Sequence, residues 1–414
     1  MTRDAHSEPI FVPSSVPHNL LRGLPVPARI GLDFAAKAQT GRLDIRVPDG
    51  RYFVIERSDE GPQAEVLIKD WNFIRRFFRH GDIGIAEGYI AGEWSSPDVT
   101  TFLEFFVTNR DSVGGTIIKH PIYRFIQGVR HWLNSNTKSG SKRNIAAHYD
   151  LGNDFYESWL DATMTYSSAL YQTGANDLVT AQRAKYRALA EATDIQPDHE
   201  VLEIGCGFGG FAEFVARDIG AKVTALTISQ KQFEYASERI QKAGLNDRVE
   251  IVMRDYRDEQ GSYDRIASIE MFEAVGEKYW PVYFQKIADC LKSQGRAGLQ
   301  IITVQDQYFD DYQRSPDFIQ RYIFPGGMLP PPGRLNAISA SVGLKFAGER
   351  IFGQDYARTL AEWRERFWEA WPRIKPLGFD DQFKRLWEFY FHYCEAGFRS
   401  EHIDVRQMIY TKTG

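Results

Sequence analysis

Residues 201–210 read VLEIGCGFGG, and the fold of the larger part of the chain follows from how that string must sit. Val201 to Ile204 form a short apolar-leaning run suited to a buried strand. The chain then turns through Gly205, Gly207, Gly209 and Gly210 into an amphipathic helix bearing Phe211, Phe214 and Val215. Glycine has no Cβ, so the turn can take positive φ and let a ligand approach the backbone, and the helix N-terminus beyond it offers unpaired N–H groups. A cofactor is expected across this turn.

Gly205, Gly207 and Gly210 also satisfy G-x-G-x-x-G, so a dinucleotide is the first ligand to weigh. A nicotinamide site wants an acid about twenty residues on, at the end of the second strand. Here that strand, 222–228, ends in Thr227 and Ser229. The acid comes later, at Asp255 beside Tyr256, after a third strand from Val249 to Met253. An acid there followed by an aromatic residue suits the adenine of S-adenosylmethionine; a purely structural glycine turn is the remaining reading.

The 414 residues allow two or three domains, and a net charge of −5 argues against general nucleic-acid binding. Cys206, Cys290 and Cys394 are too few and too widely spaced for a disulfide framework or a zinc site, which fits a reducing cytoplasm. The first residues, MTRDAHSEPIF, hold acids and prolines where a signal peptide would be apolar, and no stretch is long enough to span a bilayer. Membrane contact is therefore expected to be peripheral, at the inner face.

Residues 1–30 are rich in proline and read as an irregular arm. Residues 31–111 read as a small α+β, lipid-associated domain. Leu43–Val47, Tyr52–Glu56 and Glu65–Ile68 alternate as strands, Asp49-Gly50 supplies a hairpin turn, and Asp70–Phe78 and Thr100–Val107 are helical. Glycine-punctuated turns are expected over Gly81–Trp94. A packing or dimerisation module, which would make the protein a homodimer, and a lipid-presenting module are both open for this region. Residues 112–143 form a basic linker: Lys119, Arg124, Arg130, Lys138, Lys142 and Arg143 stand without acidic neighbours. Ile122, Phe125, Ile126, Val129 and Leu133 share one helical face, as on an anionic membrane surface or as a solvated linker packed on a neighbour.

His148 to Tyr171, HYDLGNDFYESWLDATMTYSSALY, is dense in aromatic and polar residues without a clean period, as in a segment draped over a site. With this string, VLEIGCGFGG, LTISQKQ, RDYRD, MFEAVG, YIFPGGMLP, FGQDYARTL and CEAGFRSEHIDVRQ, the chain resembles the cyclopropane-fatty-acid synthase family. These S-adenosylmethionine-dependent enzymes act on double bonds of membrane acyl chains and of mycolic precursors. The resemblance implies an α/β fold for residues 144–414: a seven-stranded, Rossmann-like methyltransferase sheet with acyl-binding helical insertions. The elements agree with it. Leu178–Thr193 is a helix before the first strand, Ser229 and Gln232 form a capping box, Arg265–Met271 and Ala297–Val304 are further strands, and a helix runs from Lys278 to Ser293, closed by Gly295. Leu344–Ile351 and Asp404–Thr411 form an antiparallel edge pair. The insertion Asp306–Arg334 and helices over Tyr356–Ile374 and Phe379–Gly397 break the pattern, and most of their aromatic residues are expected in the core.

Carried over by motif, the resemblance implies Tyr166 and Ser167 at the methionine end of the donor. Gly205 and Gly207 then lie beneath it, Thr227 and Gln232 near the ribose, Tyr256 against adenine, and Ile269 close by. His148 and Tyr149 are implied as lid residues. In cyclopropane-forming relatives a bound bicarbonate serves as base, held by a Cys, a Glu, a His, a Tyr and a backbone N–H. Glu273, Tyr356 and the N–H of Ile302 match that set, whereas the Cys position holds Ser168 and the His position Gln300, and Glu270 replaces a small residue. Ser168 and Gln300 can still donate hydrogen bonds, yet Glu270 and Glu273 together disfavour a neighbouring anion.

The reading that follows is methyl transfer to an unsaturated phospholipid acyl chain, with the proton leaving by another route to give a methyl-branched product. Cyclopropane formation, a small-molecule N- or O-methyltransferase and a lipid-binding protein without catalysis are the alternatives.

Overall fold

The computed structural model describes residues 8–58, 60–113, 151–314 and 316–413. The chain divides into two compact units, Met1–Gly128 with Phe379–His402, and Val129–Gly378 with Ile403–Gly414. The basic linker lies outside the described residues apart from Ser112 and Val113, as do His148 and Tyr149.

In the first unit, strands β1 (Ile10–Phe11), β2 (Arg42–Arg46), β3 (Tyr52–Glu56), β4 (Gln63–Ile68) and β5 (Trp94–Ser95) form a five-stranded sheet in the order β1-β3-β2-β4-β5. The Asp49-Gly50 turn joins β2 to β3: Gly50 has φ +87°, and Val47 N donates to Arg51 O at 3.1 Å. Helices Val26–Ala35, Asn72–His80 and Val99–Thr108 belong to the same unit. The segment expected to be glycine turns is instead a helix, Asp82–Ile90. Its glycines serve close packing: a Cβ on Gly84 would lie 2.2 Å from Arg76 O, and one on Gly88 2.9 Å from the Phe73 ring. Helix Asp381–Arg399, which sequence order places inside 144–414, packs within this unit. Phe389 lies 5.7 Å from the Tyr89 ring, and His392 Nδ1 is 2.7 Å from Thr100 Oγ1.

In the second unit, seven strands follow: β6 (Glu200–Ile204), β7 (Lys222–Thr227), β8 (Val249–Met253), β9 (Tyr263–Ile269), β10 (Leu291–Val304), β11 (Leu344–Ile351) and β12 (Ile403–Lys412). Their order is β11-β12-β10-β9-β6-β7-β8. The β6–β7, β7–β8, β6–β9 and β9–β10 pairs are parallel, while β12 runs antiparallel to both β10 and β11. The strand order reverses outward from β6, so β6 and its neighbours flank the point where a doubly wound sheet opens a crevice at the carboxyl ends of its strands. The helix after β9 spans Trp280–Cys290 and ends before Ser293, because β10 starts early, at Leu291, and absorbs Gly295 in a register shift between Leu291 and Arg296. Leu178–Thr193 is capped by Asp177, whose carboxylate accepts from Thr180 N. Trp363 and Phe367 of helix Gly353–Ile374 are fully buried, while Trp368 is exposed.

Candidate active site

The glycine turn after β6 is strongly shaped: Gly205, Gly207 and Gly209 have φ of +85°, +52° and +81°. A Cβ on Gly205 would sit 2.5 Å from Met271 Cγ, whereas one on Gly207 would meet no heavy atom of the described residues within 4 Å. The loop is therefore clamped on one side and bare on the other, as a cradle for an approaching ligand requires. Thr227 closes β7, Tyr256 follows β8, and Ile269 closes β9, so the residues read as cofactor contacts gather at the carboxyl ends of adjacent parallel strands. Thr227 Oγ1 donates to Gln232 Oε1 at 2.8 Å, while Gln232 N donates to Ser229 Oγ at 3.4 Å. Only half of the expected capping box thus forms, because the Gln232 side chain turns to Thr227. Asp255 is buried and paired with Arg257 at 2.6 Å. Tyr166 keeps partial exposure among aromatic rings, 5.3 Å from Trp363, 5.5 Å from Tyr156 and 5.6 Å from Trp159.

Beyond the turn lie two carboxylates with different surroundings. Glu270 follows β9 with φ +48°, a left-handed conformation that costs a non-glycine residue about 1–2 kcal/mol. Its backbone N donates to Gln300 O at 2.8 Å, which fixes the carboxylate against β10. Oε1 accepts from Ser168 N at 2.9 Å and from Gln300 Nε2 at 2.7 Å, and Oε2 accepts from Tyr356 OH at 2.6 Å. Burial raises the Glu270 pKa, opposed by the Lys185 charge and by these three hydrogen bonds. Among the described residues Glu273 accepts only from Ile302 N, at 2.5 Å, on Oε1, and its Oε2 has no partner. Burial, with the Glu270 charge adding to it, pushes Glu273 up to about 8. Both carboxyls are raised by burial, and Glu270 is the one whose charged form is favoured by a nearby cation and three hydrogen bonds, whereas Glu273 has one hydrogen bond and the Glu270 charge against it.

This arrangement corrects part of the expectation for an exogenous anion. Ser168 does not offer its hydroxyl, which donates to Ala169 O at 2.9 Å; it contributes its backbone N–H. Gln300 and Tyr356 donate to Glu270, and Ile302 N is taken by Glu273. The donors that would hold bicarbonate are engaged by the chain's own carboxylates, so bicarbonate does not fit this site.

Further polar residues stand behind the carboxylates. Lys185 is fully buried on helix Leu178–Thr193, its Nζ donates to Ser167 Oγ at 2.6 Å, and burial brings its pKa down to about 7 despite Glu270, Asp161 and Glu203 nearby. Gln407 on β12 donates from Nε2 to Gln300 Oε1 at 3.1 Å and so orients the amide whose Nε2 meets Glu270. Glu203, inside β6, has one oxygen without a partner among the described residues and is pushed by burial to about 8. Both Lys185 and Gln407 carry a signal in the sequence: the lysine shares a helix face with Ala181 and Leu189, and the glutamine interrupts the alternation of Val405 and Ile409.

Residues 136–408 match the family model described as mycolic acid cyclopropane synthetase. The chain belongs to this family. It is 34% identical to the tuberculostearic acid methyltransferase UfaA1 of Mycobacterium tuberculosis, over 97% of this chain and 92% of that protein. It is 33% identical to the cyclopropane-fatty-acyl-phospholipid synthase of Escherichia coli K12, over 89% and 96%. Among solved structures it is similar to the cyclopropane synthase MmaA2 from M. tuberculosis, with a TM-score of 0.62 and 28% identity over 66% of this chain and 98% of that one. It also matches the mycolic acid cyclopropane synthase CmaA1 complexed with SAH and CTAB, with a TM-score of 0.61 and 26% identity over 66% and 98%. The protein is an S-adenosylmethionine-dependent methyltransferase of the cyclopropane-fatty-acyl-phospholipid synthase type, and the bare face of the Gly207 turn fits that donor.

Proposed function

We propose that this protein methylates the double bond of an unsaturated phospholipid acyl chain and releases a methyl-branched chain, as a methyl-alkene or a methylene product. S-adenosylmethionine, when bound, supplies an electrophilic methyl group on a sulfonium. Tyr166, Ser167, Gly205, Gly207, Thr227, Gln232, Tyr256 and Ile269 are the residues that hold it.

An isolated alkene has no proton to give up beforehand, so an acyl chain that gains the new carbon is a carbocation. The half-buried ring of Tyr166, backed by the buried Trp363, offers a π-face to that charge. Glu270 then accepts a proton from a carbon beside the cationic centre. The C–H electron pair stays on the chain as a new double bond, and the proton ends on a carboxylate oxygen. That double bond lies within the chain for the methyl-alkene or, after a 1,2-hydride shift that moves the cation to the methylated carbon, runs to the added carbon for the methylene. Glu270 is a positioned base because Ser168 N, Gln300 and Tyr356 fix both oxygens, and Glu273, held neutral, adds no second charge.

One observation carries the reading. Groups that the family resemblance assigns to bicarbonate converge here on Glu270. A carboxylate anchored through its own backbone cannot follow the incoming methyl as a free anion can, so it takes the proton that it faces. Similarity alone does not separate branching from ring closure, since the tuberculostearic acid methyltransferase and the cyclopropane synthase are almost equally close, at 34% and 33% identity.

The acyl chain is drawn from a membrane that the protein meets peripherally from the cytoplasm; among the described residues no helix is long and apolar enough to cross a bilayer. Lipid extracts from cells expressing the protein test the proposal. New methyl-branched or methylene chains are expected, and cyclopropane as the sole new lipid would refute it.

A further inference from the structure

Helix Leu178–Thr193 turns three polar side chains toward the segment that carries a donor of Glu270. Gln182, Lys185 and Tyr186 share one face of that helix and are buried, Gln182 and Lys185 completely. Tyr186 OH pairs with Thr165 Oγ1, Lys185 Nζ donates to Ser167 Oγ at 2.6 Å, and Gln182 Nε2 donates to Ser167 O at 2.9 Å. Burying an amide and a lysine costs desolvation that apolar residues at the same positions would avoid. Both side chains nevertheless close on Ser167, the residue before Ser168.

The Gln182 bond reaches the carboxylate through a single peptide group. The carbonyl of Ser167 and the N–H of Ser168 belong to the same planar trans amide and point in opposite directions. With the carbonyl held by Gln182, the N–H is aimed the other way, where Glu270 Oε1 accepts it at 2.9 Å. A hydrogen bond accepted at the oxygen also polarises the amide and strengthens its donation. The other donor to Oε1, Gln300 Nε2, is steadied from the same helix: Gln407 Nε2 lies 3.1 Å from Lys185 O and 3.1 Å from Gln300 Oε1. The charged groups around Lys185 are Glu270, Asp161 and Glu203, and those around Glu270 are Lys185 and the second carboxyl, Glu273. Lys185 is thus the cation beside the carboxylate whose donors it braces.

We propose that Gln182 and Lys185 are positioning residues for the base: Gln182 sets the plane of the Ser167–Ser168 peptide so that its N–H meets Glu270, and Lys185 anchors Ser167 and balances the Glu270 charge. The inference rests on the reading of Glu270 as the base and assigns the aim of that base to a helix behind it.

The test uses the full chain and compares Gln182→Met, Lys185→Met, Glu270→Gln and the two double variants by kcat at saturating donor and lipid across a pH series. Q182M and K185M are each expected to lose about tenfold or more in kcat, the size of a lost contact to an ionised group, with the lipid KM within about twofold of wild type. The acid limb of kcat should move to higher pH, because the carboxylate loses a partner that favours its charged form. In the E270Q background the same substitutions should cost less than about threefold, since no charge is left to hold. Wild-type kcat and acid limb in both variants would overturn the inference, as would a loss that leaves the limb in place or is equally large in E270Q. Near-wild-type turnover of E270Q alone would instead overturn the reading of the base, so the two failures are distinct. Methionine matches glutamine in length, and Q182M also removes a buried oxygen without a partner among the described residues, so the core stays filled. If K185M does not fold, Q182M decides; a Q182M that does not fold overturns the inference, because Gln182 would then be holding the fold.

Discussion

Replacing Glu270 by glutamine removes one charge from the site and little else. The amide oxygen can take the place of Oε1 and accept from Ser168 N and Gln300 Nε2, now at 2.9 and 2.7 Å from the carboxylate. The amide nitrogen then faces Tyr356, whose hydroxyl can reverse from donor to acceptor. The hydrogen bonds therefore survive, and stability should change by no more than about 1 kcal/mol. The base does not survive. A positioned general base contributes about 10²–10⁴ in rate, equivalent to about 3–5 kcal/mol of barrier, and E270Q should lose turnover by that factor. Donor affinity, measured by calorimetry, should hold, because no cofactor contact is touched. Glu270→Ala makes the complementary case: it leaves the three donors without their acceptor and opens room for a small anion. Formate or bicarbonate should restore part of the activity of E270A and none of that of E270Q. The assay is transfer of a labelled methyl group into dioleoyl phosphatidylglycerol. Turnover of E270Q within about threefold of wild type would show that Glu270 is not the base.

Other outcomes follow from the same structure. Glu273 is raised from 4.5 to about 8, so its contribution to stability is fully present below pH 4.5 and is lost as pH rises through 8. E273Q should therefore melt increasingly above the wild type across that window, and equal melting curves at pH 5 and pH 9 would count against the buried neutral acid. His402 is lowered from 6.5 to about 4, chiefly by burial and then by Arg110, so the first unit should lose stability as pH falls from 6.5 to 4. H402Q should flatten that acid limb in a pH series of melting temperatures, and an unchanged limb would remove His402 as its cause. Gly84→Ala forces a Cβ to 2.2 Å from Arg76 O, which is backbone and cannot swing away. A loss of about 1–3 kcal/mol in denaturant unfolding is expected, and a change below about 0.5 kcal/mol would contradict the tight helix contact. Gly207→Val adds a branched side chain at φ +52° into the open face of the turn and should weaken donor binding at least about tenfold by calorimetry, with wild-type affinity as the opposing result.

The second unit was legible because its signals are local and redundant. The VLEIGCGFGG string, the period of Leu178–Thr193 and the strand runs at Val249–Met253 and Leu344–Ile351 each specify an element that the structure contains at those positions. Glycine misled twice, because it marks turns and close packing alike. At Gly84 and Gly88 it allows helices to touch, and at Gly295 it sits within an irregular strand start. Sequence order could not place helix Asp381–Arg399 with the first unit, since that depends on which apolar face it finds in three dimensions. At the site, the sequence showed that Glu270 brings charge where relatives carry a small residue, and that this charge disfavours an anion. It could not show that the carboxylate takes the anion's own donors, because that rests on the positive φ of Glu270 and on which atom of Ser168 turns inward.

The claim on which the account depends is that the base belongs to the chain. Turnover and product are therefore measured together on purified protein with a ¹³C-methyl donor and dioleoyl phosphatidylglycerol, in buffer stripped of carbon dioxide and then with bicarbonate restored. Ring and methylene products share one mass, so NMR makes the distinction. The account predicts a methyl-branched or methylene chain formed at the same rate in both buffers; a rate that collapses without bicarbonate and returns with it, accompanied by cyclopropyl signals, would contradict it.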